Sequence, residues 1–289
     1  MTKELEFAFS DQDFNKISAL VTKHSGIMLP EHKRMLVYSR LAKRVRALEM
    51  PSFQAYIRKI EADLAHEDQK ELLEVINAMT TNVTKFFREP HHFDALKTEL
   101  PELAETFGAV KIWSCASSSG EEPWSIAMVV ADAMKVHKNL KVMIHASDLD
   151  SNMVARTKAG VYKLPPQDVA ENPYMKKYLL QKGETEKQAL HGDIATFEVR
   201  PELRSLLEFS QVNLVHPLPA HMKTHVVFCR NVIIYFDKAS KIKLFKQLAQ
   251  RVPEGGLVMI GHSESLSGIT TCFEPLGKTM YRRNSQPAE

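Results

Sequence analysis

The chain has 289 residues, 44% hydrophobic and 25% charged, with 38 basic against 35 acidic side chains. This is ordinary globular composition, long enough for about two domains and too balanced in charge to imply nucleic acid by itself. Three scattered cysteines (Cys115, Cys229, Cys272) exclude a disulfide framework and a four-ligand zinc site, no apolar run reaches the ~18 residues of a membrane span, and the charged start Met1-Thr-Lys-Glu shows no secretory signal, so the cytoplasm is expected.

The first ~80 residues read as helices. Ser10 precedes Phe14, Ile17, Leu20 and Val21 at amphipathic spacing and is a plausible cap. A second segment after Pro30 carries Met35, Leu36, Leu41, Val45 and Leu48. A third runs from Ser52 through Phe53, Tyr56, Ile57 and Ile60, and a fourth covers Lys70 to Met79. No strand-like alternation precedes residue ~108, so 1–80 is predicted to be an all-helical domain, and 81–108 is expected to be a linker and cofactor-contacting segment. Between Lys33 and Lys59 stand eight basic residues and one acid, Glu49. Arg40, Lys43 and Arg44 share a helical face there. A solvated face, an acidic partner or nucleic acid would each fit.

From residue ~109 strands and helices alternate. Strands are predicted at 110–115, 141–146, 207–212, 225–229, 256–260 and 278–282, with helices at 124–136, 152–158 and 238–251. The pattern implies an α/β, mostly parallel, doubly wound sheet over 109–284, whose ligands bind at the carboxyl ends of the strands. Residues ~161–200, with Pro165-Pro166, Pro173, Gly183 and Gly192, interrupt the rhythm and read as a small inserted subdomain. Residues 285–289 read as a loose tail.

The first strand leads into Ser114-Cys-Ala-Ser-Ser-Ser-Gly120-Glu-Glu-Pro-Trp124. Small residues there let backbone approach a ligand, but Glu121 and Glu122 would repel a pyrophosphate, which favours a ligand with a positive centre. The same acids could simply complement a helix N-terminus. Asp148, at the end of the second strand, is placed either to accept ribose hydroxyls or to cap the next helix. In Thr80-Thr-Asn-Val-Thr-Lys-Phe-Phe-Arg88, Arg88 in its aromatic setting is suited to holding a carboxylate. His91 and His92 are adjacent and cannot face a metal as an i, i+4 pair would, and no metal site is expected. Arg230 and Asn231 follow the fourth strand, where such folds present ligand contacts, while Tyr235 taken alone reads as a core aromatic rather than a catalytic residue.

These residues resemble a known family. The runs Thr-Thr-Asn-Val-Thr-Lys-Phe-Phe-Arg, Ser-Gly-Glu-Glu-Pro-Trp-Ser, Ala-Ser-Asp-Leu-Asp, Cys-Arg-Asn-Val-Ile-Ile-Tyr-Phe-Asp and Gly-His-Ser-Glu-Ser are similar to those of CheR-type chemotaxis receptor glutamate methyltransferases, in family order from about residue 10 to 283. The resemblance implies a class I methyltransferase sheet with a helical N-terminal domain and an inserted β-subdomain. It implies S-adenosyl-L-methionine as cofactor and methyl esterification of glutamates on chemoreceptor cytoplasmic helices. By motif position, Asn82, Thr84 and Arg88 should contact the methionine end of the cofactor. Glu122 should meet its amino end or the nearby loop, and Asp148 its ribose. Asn213 and Leu214 should flank the adenine. Arg230 and Asn231 should line the pocket, and Tyr235, with Arg88 the expected catalytic pair, should sit beside the methyl.

Under the same resemblance Arg40, Lys43, Arg44 and Arg46 should dock the acidic receptor. Where members that grip a receptor pentapeptide carry Gly-x-Gly, this chain has Lys182-Gly-Glu-Thr-Glu-Lys, which argues against such tethering. A monomer without nucleic acid or membrane insertion is expected. The chemistry agrees: a glutamate with a reference pKa near ~4.3 is ionised at neutrality and needs no general base, and positioning can supply much of the rate.

Overall fold

The computed structural model describes residues 5–186, 192–219 and 222–288, divided into two compact units. One comprises the chain up to Thr81 together with Tyr235–Lys241. The other runs from Asn82 to Ile234 and from Ile242 onward.

The first unit is built on α1 (Asp11–Ser25), α2 (Arg34–Ala47), α3 (Phe53–Ala65) and α4 (Lys70–Met79). Helix α1 begins where Ser10 and Asp13 form a capping box: the Ser10 hydroxyl accepts the Asp13 N–H at 3.2 Å and the Asp13 carboxylate accepts the Ser10 N–H at 2.9 Å. It ends at Gly26, whose φ of 72° suits glycine. Apolar residues at helical spacing meet in one core: Phe14, Ile17 and Val21 on α1, Val37, Leu41 and Val45 on α2, Phe53, Ile57 and Ile60 on α3, and Leu72, Val75 and Ile76 on α4. Full burial of each such side chain contributes about 1.5–3 kcal/mol.

The basic stretch of this unit is not a free face. Arg40 donates to the carbonyls of Ala78 and Thr80, at 3.0 and 2.9 Å, and so closes the end of α4. Arg44 grips the buried Glu71 with both arms, at 2.8 and 2.7 Å, and the Tyr56 hydroxyl donates to the same carboxylate. Burial, then Glu71, push the Tyr56 phenol upward. Arg46 pairs with Glu6, Arg34 with Asp11 and Glu31, and Lys59 with Asp63. Of the four expected docking cations, Lys43 is exposed and in no ion pair among the described residues. The partner acids named lie outside the 33–59 window, so a local charge count misses this pairing.

The second unit opens on α5 (His91–Phe107), followed by β1 (Ala109–Ser114), α6 (Glu121–Val136), β2 (Lys141–Asp148) and α7 (Ser151–Ala159). Next come β3 (Val161–Leu164), α8 (Pro166–Glu171), α9 (Pro173–Tyr178), β4 (Leu179–Glu186), β5 (Ile194–Val199) and α10 (Pro201–Arg204). The chain closes with β6 (Leu207–Gln211), β7 (Val226–Cys229), α11 (Lys238–Ala249), β8 (Leu257–Ile260), β9 (Phe273–Gly277) and β10 (Met280–Arg283). Seven strands form one sheet in the order β6-β2-β1-β7-β8-β10-β9. The pairs from β6 through β8 are parallel, and β10 is antiparallel to both its neighbours. The order reverses between β1 and β7, which sets the ligand crevice at their carboxyl ends. A separate antiparallel sheet, β3-β5-β4, forms the insertion.

Segment 81–108, expected to link, instead holds α5, whose buried Phe93, Leu96, Leu100 and Leu103 repeat at helical spacing despite Pro101. Strand β9 also escaped the sequence reading, because its last four residues are exposed and carry no apolar alternation. In the stretch that departs from the pentapeptide pattern, Lys182–Glu186 belong to β4, while Lys187 lies outside the described residues. The segment called a tail is held as far as Pro287, whose carbonyl accepts from the Cys272 thiol at 3.2 Å; Glu289 lies outside the described residues. Among the described residues no helix is long and apolar enough to cross a membrane.

Candidate functional site

Beyond β1 the backbone stays in the sheet for one more step, the Cys115 N–H reaching the Phe228 carbonyl at 3.0 Å, and then turns. Ser117 donates its N–H to the Ser147 carbonyl at 2.9 Å, and Ser118 has a positive φ of 49°. The turn ends at Gly120, with φ 103°. A Cβ there would stand 2.6 Å from the Tyr162 hydroxyl and 2.8 Å from Thr157, so both conformation and space demand glycine. Tyr162 and Thr157 hold the loop from behind by donating to the Ser119 and Ser118 carbonyls, at 2.9 and 3.0 Å. The hydroxyls of Ser117 and Ser118 are buried with no hydrogen-bond partner among the described residues.

Asp148, at the end of β2, takes the Ser118 N–H on one oxygen at 2.8 Å and the Asp150 N–H on the other at 2.9 Å. Burial pushes its carboxyl up. Asp150, not Asp148, caps α7, accepting the Asn152 N–H at 2.9 Å. Asp148 therefore does not serve as the cap of α7, a role that falls to its neighbour. Asn82 reaches Asp150 at 3.4 Å. After β6, the Val212 N–H bonds the Asp148 carbonyl at 3.0 Å and Asn213 turns the chain by accepting the Val215 N–H at 3.2 Å. Leu214 is buried.

Glu122, on α6, accepts the Ser114 hydroxyl at 2.7 Å and an Arg230 arm at 2.9 Å. Burial pushes it up, against the pull of Arg230. Arg230 is 1% exposed at its side chain; its other arm meets Glu89 at 3.2 Å and the Arg88 carbonyl. Burial would raise Glu89, but its bonds to His262 and the Arg230 charge bring it down to about 2. Arg88 is half-buried and donates to the Val83 carbonyl at 3.0 Å, while Thr84 is half-buried nearby in sequence. Asn231 has a positive φ of 56°. Tyr235 groups with the helical unit, where its carbonyl accepts the Met28 N–H at 3.0 Å and Lys33 lies 5.5 Å from its ring.

The sequence alone assigns Glu89 and Glu264 no role, although Glu89 directly follows Arg88 and Glu264 is the glutamate of the quoted run Gly-His-Ser-Glu-Ser. His91 and His92, expected to face apart, each bring a ligand-type atom within 4.8 Å of Glu89 and of each other. Yet both rings bond the Lys278 carbonyl, and Arg230 already holds the Glu89 carboxylate. His92 is lowered to about 4 by burial and by Arg230, so it is neutral.

Residues 12–80 match the family model described as CheR methyltransferase, all-alpha domain, and residues 82–282 match CheR methyltransferase, SAM binding domain. The chain is 35% identical over 295 residues to a chemotaxis protein methyltransferase of Salmonella typhimurium, covering 100% of this chain and 95% of that one. It is 37% identical over 268 residues to a probable chemotaxis protein methyltransferase of Rhizobium etli, covering 91% and 96%. A chemotaxis protein methyltransferase of Escherichia coli is 33% identical, with 97% and 93% covered.

The strand ends suit S-adenosylmethionine, which carries an ammonium and a sulfonium against one carboxylate. Six carboxylates (Glu89, Glu121, Glu122, Asp148, Asp150, Glu264) are buried or half-buried here, against the guanidiniums of Arg88 and Arg230. The orphaned Ser117 and Ser118 hydroxyls lack partners a ligand could supply, and each Asp148 oxygen has lone-pair capacity beyond the amide it accepts.

Proposed function

The chain belongs to the CheR methyltransferase family, and from that premise we propose that it methylates glutamate side chains on the cytoplasmic helices of chemoreceptors, forming methyl esters in chemotaxis. S-adenosylmethionine is the cofactor, and when bound it supplies an electrophilic methyl on a cationic sulfur. The observation that supports the reading most is the match of both parts of the chain, 12–80 and 82–282, to the two domains of that family.

The chain's own residues bind and orient. We assign Asp148 to the ribose hydroxyls, Asn213 and Leu214 to the adenine, and Asn82, Thr84 and Arg88 to the methionine end. Arg88 suits a carboxylate because its guanidinium keeps donors beyond the one spent on Val83. Glu122 and Arg230 act through their mutual pair, which fixes α6 against the turn after β7 and leaves Asn231 to line the pocket. Tyr235 is assigned to the methyl on its motif position. A glutamate substrate arrives ionised, so no residue must remove a proton. Substrate docking falls to the exposed cations of the helical unit, Lys43 foremost, with Arg46 three residues on; Arg40 and Arg44 support the helices that carry them.

The protein acts in this reading as a cytoplasmic monomer without pentapeptide tethering. Incubation with tritiated S-adenosylmethionine and a purified receptor cytoplasmic fragment tests it. The label should enter the receptor and leave as volatile methanol under mild base. Base-stable label, or no transfer by folded, cofactor-binding protein, would contradict ester formation on glutamate.

A further inference from the structure

The motif Gly261-His-Ser-Glu264-Ser has no part in the assignments above, yet its glutamate is buried among the groups that form the site. Glu264 is 7% exposed. One carboxylate oxygen accepts the N–H of Asn231 at 2.9 Å and of Gly261 at 2.5 Å; the other accepts the Ile234 N–H at 3.2 Å. Its own N–H returns to the Gly261 carbonyl at 2.9 Å. No cation pairs with it among the described residues. A carboxylate is acceptor-only, with two oxygens that can each take more than one bond. A carboxylate can take all three convergent amides; a glutamine could keep the Asn231 and Gly261 amides on its carbonyl oxygen but would set its NH2 against the Ile234 N–H.

These amides belong to two loops. Asn231 and Ile234 follow β7, and Gly261 follows β8, its parallel neighbour. The two loops leave the sheet from the same edge, and Glu264 ties one to the other. Asn231 stands at a left-handed φ of 56°, a conformation asparagine adopts more readily than other side-chain-bearing residues. Gly261 presses on it from the other side: a Cβ there would lie 2.3 Å from the Asn231 amide nitrogen and 2.9 Å from its backbone nitrogen. The Asn231 side chain also points to Glu89, at 3.4 Å.

We propose that Glu264 is a positioning residue of the methyltransferase site, fixing the Asn231 backbone in its left-handed turn so that the Asn231 side chain meets the cofactor. The inference rests on the assignment of Asn231 to the cofactor pocket.

The test is a double-mutant cycle read by calorimetric binding of S-adenosylhomocysteine, with thermal midpoints recorded for each protein. Glu264→Ala and Asn231→Ala should each weaken binding roughly tenfold or more, and the double variant should bind no worse than the weaker single, since both remove one contact. Glu264→Gln, nearly isosteric, should fold and still lose roughly three- to tenfold, because it sets donor against donor. If Asn231→Ala weakens binding while both Glu264 variants leave it unchanged, the inference falls and the pocket assignment stands. If Asn231→Ala itself changes nothing, the pocket assignment falls and the inference with it. Additive losses, or a Glu264→Gln protein with a lowered midpoint and native affinity, would make Glu264 a structural tie only.

Discussion

In the helical unit Arg44 meets one buried carboxylate, Glu71, while in the sheet unit Arg230 meets two, Glu122 and Glu89. The first group is self-contained: a bidentate pair and the Tyr56 hydroxyl balance one charge with another. The second is not. It leaves a carboxylate in excess, beside the buried Asp148, Asp150, Glu121 and Glu264. Charge that closes on itself is scaffold, because nothing further is drawn to it. Charge left in excess at the crevice of a parallel sheet favours a cationic ligand, and the cofactor carries that sign.

Removing each arginine measures the difference. Arg230→Ala leaves two acids without their cation and should cost about 4–5 kcal/mol in urea unfolding, at the upper end for a broken buried pair. Arg44→Ala should cost about 2–3 kcal/mol, less than a fully buried pair, because the Arg44 side chain is 35% exposed and screened by solvent. Equal losses would erase the distinction. Arg88→Ala should leave stability within ~0.5 kcal/mol, the usual range for surface changes, while weakening cofactor binding by about 1.5–3 kcal/mol through loss of a charged hydrogen bond. A stability loss with native binding would place Arg88 in the scaffold.

The comparison also has a pH signature. Glu89 lies at about 2 in the folded protein against an ordinary 4.5. A depressed carboxyl contributes stability that is complete above its unfolded value and is lost as pH falls toward the folded one. The stability difference between native protein and Glu89→Gln should therefore be largest above pH 4.5 and shrink progressively as acid is added. A difference independent of pH would show that the Glu89 charge is not what Arg230 holds. The smallest effect belongs to the surface. Lys43→Glu should raise the apparent KM for receptor a few-fold at low salt, and the gap should narrow as the Debye length falls below ~8 Å. Parallel salt curves would return Lys43 to the solvated face.

Much of this was legible in the sequence, and the failures share a cause. Ser10, the apolar spacings of α1 to α4 and the strand runs speak through neighbours close in the chain. Glycine at 120 is likewise marked by its setting between small residues and acids. Charge pairing is not local. Arg44 finds Glu71 27 positions away and Arg230 finds Glu122 at 108, so neither the neutral helical cluster nor the acid-rich crevice could be counted from a window. The placing of Glu264 beneath Asn231 depends on β7 and β8 lying side by side, which no spacing announces.

The most direct measurement of the account is a calorimetric titration of S-adenosylhomocysteine into the native protein, Asp148→Ala and Arg44→Ala. The native protein should show one site. Asp148→Ala should bind about 1–3 kcal/mol more weakly, because ribose hydroxyls lose a buried acceptor, and Arg44→Ala should bind as the native protein does at a temperature where it is folded. Unchanged affinity in Asp148→Ala, or a loss in folded Arg44→Ala to match it, would contradict the division between a closed scaffold and an open, acid-lined cofactor site.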